Sequence, residues 1–160
     1  MQPEEYFTRL TEITLKKYYL LEEILRMTKA QSETIREDGI DELGALIAGK
    51  QERIDRIDKL DEQFEVYFKR LKQELGINNL AEAGGENLPG AKELQDVTGK
   101  VLGLLNEINA VEKSNNQKTV NLLNLFKSEI KSLNQAKKVN SAYHPVAATE
   151  TPAYFINKKR

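Results

Sequence analysis

Three long segments of this chain place apolar residues at alternating steps of three and four, the spacing of one face of an α-helix. The first segment contains Tyr6, Leu10, Ile13, Leu20, Ile24 and Met27, with Lys17 in its one gap. The second contains Leu43, Ile47, Lys50, Ile54, Ile57, Phe64, Phe68, Leu71 and Leu75. The third contains Leu94, Val97, Val101, Leu104, Ile108 and Val111, then Leu122, Phe126, Ile130 and Leu133. Because only nine glycines and four prolines interrupt the chain, these patterns favour long helices over a many-stranded sheet.

The three segments predict an all-α protein that forms a single helical domain over residues 1–142. We expect the helices to cover about residues 4–37, 41–75 and 91–139. The short connection between the first two predicts an elongated antiparallel hairpin, accompanied by the long third helix in a coiled-coil-like bundle. Residues 76–90 are rich in turn-forming residues and predict a mobile loop, and residues 143–160 predict a flexible C-terminal tail.

Single residues at the breaks predict how the helices end. We expect Gly39 to end the first helix in the left-handed conformation that glycine tolerates, and Gly76 to end the second. Asp41 is a candidate N-cap of the second helix, because a short acceptor side chain bonds the free N–H groups of a first turn. In the third helix, the four-residue spacing of Gly99 and Gly103 favours close approach of a neighbour or a slight bend.

Composition and the scarcity of reactive side chains exclude several functions. The chain has 24 basic and 25 acidic residues, and a net charge of −1 argues against nucleic-acid binding, which needs a basic surface. It has no cysteine, and its one histidine, His144, adjoins Pro145. A thiolate zinc site, a di-iron centre and a Ser-His-Asp triad therefore lack their residues. We expect no enzymatic activity, no metal and no cofactor.

The sequence has no feature that indicates secretion or membrane insertion. The first residues lack the basic and apolar regions of a secretory signal. No apolar run approaches the roughly 20 residues that a membrane span requires. The absence of cysteine agrees with a reducing compartment. We therefore expect a soluble, cytoplasmic protein.

The C-terminal half of the third helix has more apolar surface than packing on one hairpin requires. At 100° per residue, its apolar side chains span roughly 160° of the helix circumference. They are Leu122, Leu123, Leu125, Phe126, Ile130 and Leu133. Two explanations stay open, namely tighter burial within a bundle and docking of an amphipathic helix from a partner protein. The periodicity also breaks at Asn115, and asparagine lowers the intrinsic stability of a helix.

Charge is divided unevenly along the chain. Residues 1–75 contain 17 acidic and 13 basic side chains, whereas residues 93–160 contain 6 acidic and 10 basic ones. A mildly basic C-terminal region either recruits an acidic partner or complements a neighbouring helix of the same chain. The sequence leaves both explanations open.

Two stretches of the second helix and several positions of the third resemble a known family. The stretches are Asp41-Glu42-Leu43-Gly44-Ala45-Leu46 and KQERIDRIDKL at 50–60. The positions in the third helix are Ile108, Glu112, Asn116, Leu122 and Leu123, with Tyr143 following. Over about residues 5–143, the order of hairpin, loop, asparagine-containing helix and aromatic tail is similar to the FlgN family of flagellar export chaperones.

The resemblance implies a cytoplasmic chaperone for the hook–filament junction proteins, which are hook-associated proteins of the FlgK and FlgL type. Such a chaperone keeps the C-terminal helical ends of its clients unassembled and delivers them to the type III export gate. The implied client-binding residues are Leu122, Leu125, Phe126, Ile130 and Leu133. Tyr143 is the implied contact with the export gate protein.

A different interpretation of the same residues is a coiled-coil scaffold or adaptor that self-associates through its third helix. A homodimer is also compatible with the chaperone interpretation, because an apolar helix without its client is covered by a second copy.

Overall fold

A computed structural model of the protein describes residues 1–79 and 88–143, with side chains described at 1–79 and 88–139. Within these ranges the chain forms three α-helices and no β-strand. The helices are α1 (Pro3–Thr34), α2 (Ile40–Leu75) and α3 (Ala91–Tyr143). The predicted all-α architecture, a helical hairpin with a long third helix, is confirmed. Much of the predicted mobile loop and nearly all of the predicted tail lie outside the described residues.

Helix α1 lies at the centre of the bundle and packs against both α2 and α3. Two ion pairs show that α2 runs antiparallel to α1. The Lys17 Nζ atom lies 2.8 Å from Asp61 Oδ1, and the Arg53 Nε atom lies 3.2 Å from Glu23 Oε2. A residue later in α1 thus faces an earlier residue of α2, as expected when a short turn joins them.

Helix α3 runs parallel to α1. Near its start Leu94 shares a buried cluster with Phe7, and further along the Asn115 side-chain amide donates a hydrogen bond to the Thr28 carbonyl oxygen at 2.8 Å. Both pairs are 87 residues apart in the chain, so the register between the two helices is constant over this length. The connection after α2 therefore brings the chain back to the starting end of α1.

The core consists of buried or half-buried side chains that recur every seven residues, as in a coiled coil. In α1 this series is Phe7, Thr14, Leu21 and Thr28. In α2 it is Leu43, Lys50, Ile57, Phe64 and Leu71. In α3 it is Leu94, Val101, Ile108, Asn115 and Leu122. The apolar members meet in two clusters, one around Phe7 at the end of the bundle and one around Leu21.

The cluster around Phe7 closes the bundle where α2 ends and α3 begins. Phe7, Leu71 and Leu94 are fully buried. The rings of Tyr6 and Tyr67 pack edge to face beside them, with their centroids 6.5 Å apart. Each large side chain buried in this way contributes about 1.5–3 kcal/mol, so the cluster anchors the start of α3 to the hairpin.

Two glycines with positive φ shape the chain next to this cluster. Gly76 has a φ of 66° and ends α2 as predicted, and the next N–H, of Ile77, donates to the Lys72 carbonyl oxygen at 3.2 Å. Gly90 precedes α3 and has a φ of 89°. A Cβ atom at Gly90 would lie 2.9 Å from the Cβ of Phe7, so this position requires glycine for both its conformation and its space.

The turn between α1 and α2 differs from the prediction. Helix α1 ends at Thr34, three residues before the predicted end, and Gly39 has a φ of −108°, which is not left-handed. Gly39 is instead the N-cap of α2, so Asp41 lies in the first helical turn and the prediction that it caps the helix is wrong. A Cβ atom at Gly39 would lie 2.3 Å from the Thr34 carbonyl oxygen. Position 39 therefore requires glycine because the tight turn leaves no room for a Cβ atom.

Helix α3 is continuous and extends to Tyr143, four residues beyond its predicted end. A Cβ atom at Gly99 or at Gly103 would meet no described atom within 4 Å. The predicted close approach of a neighbouring helix at these glycines is therefore wrong, because both face away from α1.

Candidate functional site

Helix α3 continues well beyond the hairpin that supports it. The register that pairs Asn115 with Thr28 brings Leu122 level with Ile35, the first residue after α1. Residues 123–143 therefore extend past the end of α1, and we name this segment the overhang. At 1.5 Å per residue the overhang is about 30 Å long.

The structure places the five predicted client-binding residues in two environments. Leu122 is 7% exposed and belongs to the last buried layer of the bundle. Leu125 and Leu133 are 46% and 52% exposed, and Phe126 and Ile130 are half-buried. We name Leu125, Phe126, Ile130 and Leu133 the apolar face of the overhang, since these four residues present the accessible surface.

Tyr143, the predicted contact with the export gate, is the last residue of α3. Its backbone is helical, so it belongs to the end of the overhang and not to a tail that follows the helix. Its side chain lies outside the described side chains.

A shallow groove of about 380 Å³ marks the point where the overhang leaves the hairpin. Ile35 and the turn that follows it form one side of the groove, and Lys118, Leu122 and Leu125 form the other. The apolar face of the overhang is thus continuous with this groove at the end of the hairpin.

One carboxyl pair connects the turn of the hairpin to the overhang. Glu37 lies in the turn, Glu129 lies in the overhang, and their carboxyl groups interact. Hydrogen bonding with the Glu37 side chain, followed by desolvation and by the negative charge of Glu37, raises the pKa of Glu129 above its ordinary value. Two carboxyl groups need a proton between them to bond, so the connection weakens as Glu129 ionises.

Asn115 forms the main polar contact between α3 and α1. It is 3% exposed, and its amide group donates to the Thr28 carbonyl oxygen at 2.8 Å while its Oδ1 atom accepts a bond from the Ser32 hydroxyl. Lys118, one turn later, donates to the Ser32 carbonyl oxygen at 3.4 Å. A buried asparagine at such a position favours the one register in which its bonds are made.

Lys50 adds a charged group at the same level of the bundle. It is 8% exposed, and its Nζ atom donates to Gln31 Oε1 at 2.7 Å and to Glu112 Oε1. Lys50 thereby connects α2 with both other helices. The bundle core thus changes from apolar to polar shortly before the overhang begins.

Sequence reasoning did not assign a role to this polar layer, although a signal was present. Lys50 occupies a position in the predicted apolar pattern of the second helix, and Asn115 is where the pattern of the third helix breaks. Ile47 and Ile54, which belong to the predicted apolar pattern of the second helix, are 49% and 38% exposed. Helix α2 packs mainly against α1, and its buried residues are Leu43, Lys50, Ile57 and Leu71.

The described residues offer no arrangement suited to metal binding. No group of three or more His, Asp or Glu side chains within these residues is placed to hold a metal ion. Over the same part of the chain, no helix combines the length and apolarity needed to cross a bilayer. Among the described residues, the apolar face of the overhang is the candidate surface for binding another protein.

Comparison with known proteins establishes the family. A model of the FlgN protein family matches residues 1–151 of the 160-residue chain. This chain belongs to the FlgN family. Separate searches among curated proteins and among solved structures gave no significant match.

Membership in the FlgN family makes the chain a flagellar export chaperone in general terms. The family is one of chaperones and is not known for enzymatic activity. The matched residues include the hairpin, the polar layer and the whole overhang. A chaperone role agrees with a helical bundle that leaves apolar side chains exposed on one projecting helix.

Proposed function

We propose that this FlgN-family chain binds the C-terminal helical ends of hook–filament junction proteins in the cytoplasm. It keeps these ends unassembled and delivers them to the type III export gate. Family membership supports the general role, and the apolar face of the overhang is the observation that carries the specific one.

The apolar face has the dimensions of a helix-docking surface. Leu125 and Leu133 are about half exposed, lie two helical turns apart and have Phe126 and Ile130 between them on the same side. A client helix laid along this face covers the exposed half of each leucine, which contributes about 1 kcal/mol per residue. The partly covered groove at Leu122 gives the client a starting point against the hairpin.

The physical need for such a chaperone follows from the chemistry of the client. A helix that polymerises through an apolar face aggregates if that face is exposed before assembly. Binding that covers the face lowers the concentration of the free, assembly-competent form by mass action. Release at the export gate then restores the free form where it is needed.

The test compares two leucine substitutions on α3. The double variant Leu125→Ser/Leu133→Ser removes the exposed leucines of the apolar face. The single variant Leu102→Ser is the control, because Leu102 is 57% exposed on the same helix but lies beside the hairpin. Titration calorimetry with purified junction-protein C-terminal segments measures the affinity of each.

We expect the double variant to weaken client binding by at least about tenfold and the control to leave it unchanged. Wild-type protein that binds no junction protein would overturn the proposed function. An equal loss in the control would overturn the placement of the client on the overhang. A tight oligomer that persists at low concentration and in the presence of client would favour the self-associating scaffold instead.

Tyr143 is the proposed contact with the export gate protein. The variant Tyr143→Ala should keep its affinity for client, since Tyr143 follows the apolar face at the end of α3. It should lose pull-down of the gate protein by the chaperone–client complex. Unchanged pull-down would remove Tyr143 from the gate contact.

A further inference from the structure

The two edges of the overhang differ in charge. At 100° per residue, Lys127, Lys131 and Lys138 fall within a sector of about 40° on the edge beyond Ile130. The opposite edge, beyond Leu125, contains uncharged polar residues. These are Asn121, Ser128, Ser132 and Gln135.

The lysines of the charged edge have no acidic neighbour on the hairpin. All three are exposed, and none of the ion pairs between described residues includes them. The one acidic residue of the overhang is Glu129, whose carboxyl group interacts with that of Glu37. The edge is therefore a row of positive charge without a partner in this chain's described part.

Basic side chains at the border between α1 and α2, by contrast, are paired with acidic ones. Two of them bond to a carboxylate of the facing helix, Lys17 to Asp61 and Arg53 to Glu23. Charges at the borders of a helix seam set the choice and orientation of the partner.

We infer that the helix that docks on the overhang carries a row of carboxylates along one edge of its own apolar face, opposite Lys127, Lys131 and Lys138. The inference rests on the proposed function and names the chemistry of the partner. The lysines are separated by four and seven residues, which is about 6 Å and 10 Å along the helix. Carboxylates at the same spacing on the partner match them, while its other edge is uncharged.

Charge also argues against two other occupants. A second overhang would bring another row of lysines to the surface, and like charges oppose such a dimer. The stretch Asn157-Lys158-Lys159-Arg160 is also basic, so like charges oppose its docking on the overhang. An acidic amphipathic helix from another protein meets neither objection.

Three synthetic 21-residue peptides test the inference. They share one leucine-lined helical face and differ only along one edge, which contains glutamate, glutamine or lysine at the spacing of the three lysines. Fluorescence anisotropy measures their binding to the full chain at low and high salt. We expect the glutamate peptide to bind about tenfold more tightly than the glutamine peptide, and high salt to reduce this preference.

Two triple variants locate the effect on the chain. Lys127→Gln/Lys131→Gln/Lys138→Gln should abolish the preference for glutamate and leave binding of the glutamine peptide unchanged. Lys16→Gln/Lys29→Gln/Lys59→Gln removes the same charge from exposed hairpin positions and should keep the preference. Circular dichroism checks that both variants remain helical.

The outcomes separate this inference from the proposed function. Equal binding of the glutamate and glutamine peptides would overturn the inference and leave the docking surface in place. A preference that survives in the overhang variant and disappears in the hairpin variant would overturn it as well. Failure of every peptide would also overturn it, and the separate titration with junction-protein segments would still decide the proposed function.

Discussion

Asn115→Ala is the substitution that tests most directly how α3 is held on α1. The alanine removes the buried hydrogen bond to the Thr28 carbonyl oxygen and the part-buried bond from the Ser32 hydroxyl. Each bond contributes about 1 kcal/mol, and the lost side-chain volume adds a cavity term. Because alanine forms helices more readily than asparagine, its higher helix propensity restores roughly 0.5 kcal/mol of the lost stability.

The neighbouring variant Asn116→Ala isolates the buried contribution. Asn116 is exposed on the same turn, so it has the same gain in helix propensity without the buried bonds. We expect Asn115→Ala to lower the free energy of unfolding by about 2 kcal/mol relative to Asn116→Ala. Urea unfolding followed by circular dichroism measures both, since the chain has no tryptophan. Equal stability of the two variants within about 0.5 kcal/mol would refute the role of Asn115.

Three further substitutions have expected outcomes that thermal unfolding can check. Gly90→Ala should lower the stability of the folded protein by about 1–3 kcal/mol, because alanine is strained at a φ of 89° and crowds Phe7. Gly99→Ala should raise this stability by up to about 1 kcal/mol, since this exposed helical site has open space. A decrease in stability at Gly99 would show an unrecognised contact. Glu129 has a raised pKa in the folded state, so its contact with Glu37 stabilises the folded protein in acid. This stabilisation is lost as the pH rises through the raised pKa. Glu129→Gln should make the thermal stability depend less on pH, and an unchanged dependence would contradict the role of Glu129.

Local sequence patterns were sufficient for the helices themselves. The three-four spacing of apolar residues predicted three helices and no strand, because this spacing is set by the geometry of a single helix. Gly76 was predicted to end α2 and does so with a left-handed φ. The wide apolar arc of the third helix was also visible, since it depends only on angles within one helix.

The roles of the turn residues and of the buried polar residues could not be predicted from local sequence, because they depend on which segments face each other in the folded protein. Gly39 was predicted to be left-handed, yet its glycine is required by the approach of the Thr34 carbonyl oxygen across the turn. Lys50 and Asn115 were visible as irregularities, but their partners Gln31 and Thr28 are 19 and 87 residues away in the chain. No local pattern specifies such pairs.

The sequence alone determined that the C-terminal half of α3 has surplus apolar surface and a basic character. Only the tertiary structure decided which part of that surface is exposed. The parallel register between α1 and α3 buries Leu122 at the end of the hairpin and leaves Leu125 and Leu133 beyond it. The physical reason is that burial depends on where a neighbouring helix stops, and packing between distant segments sets that limit.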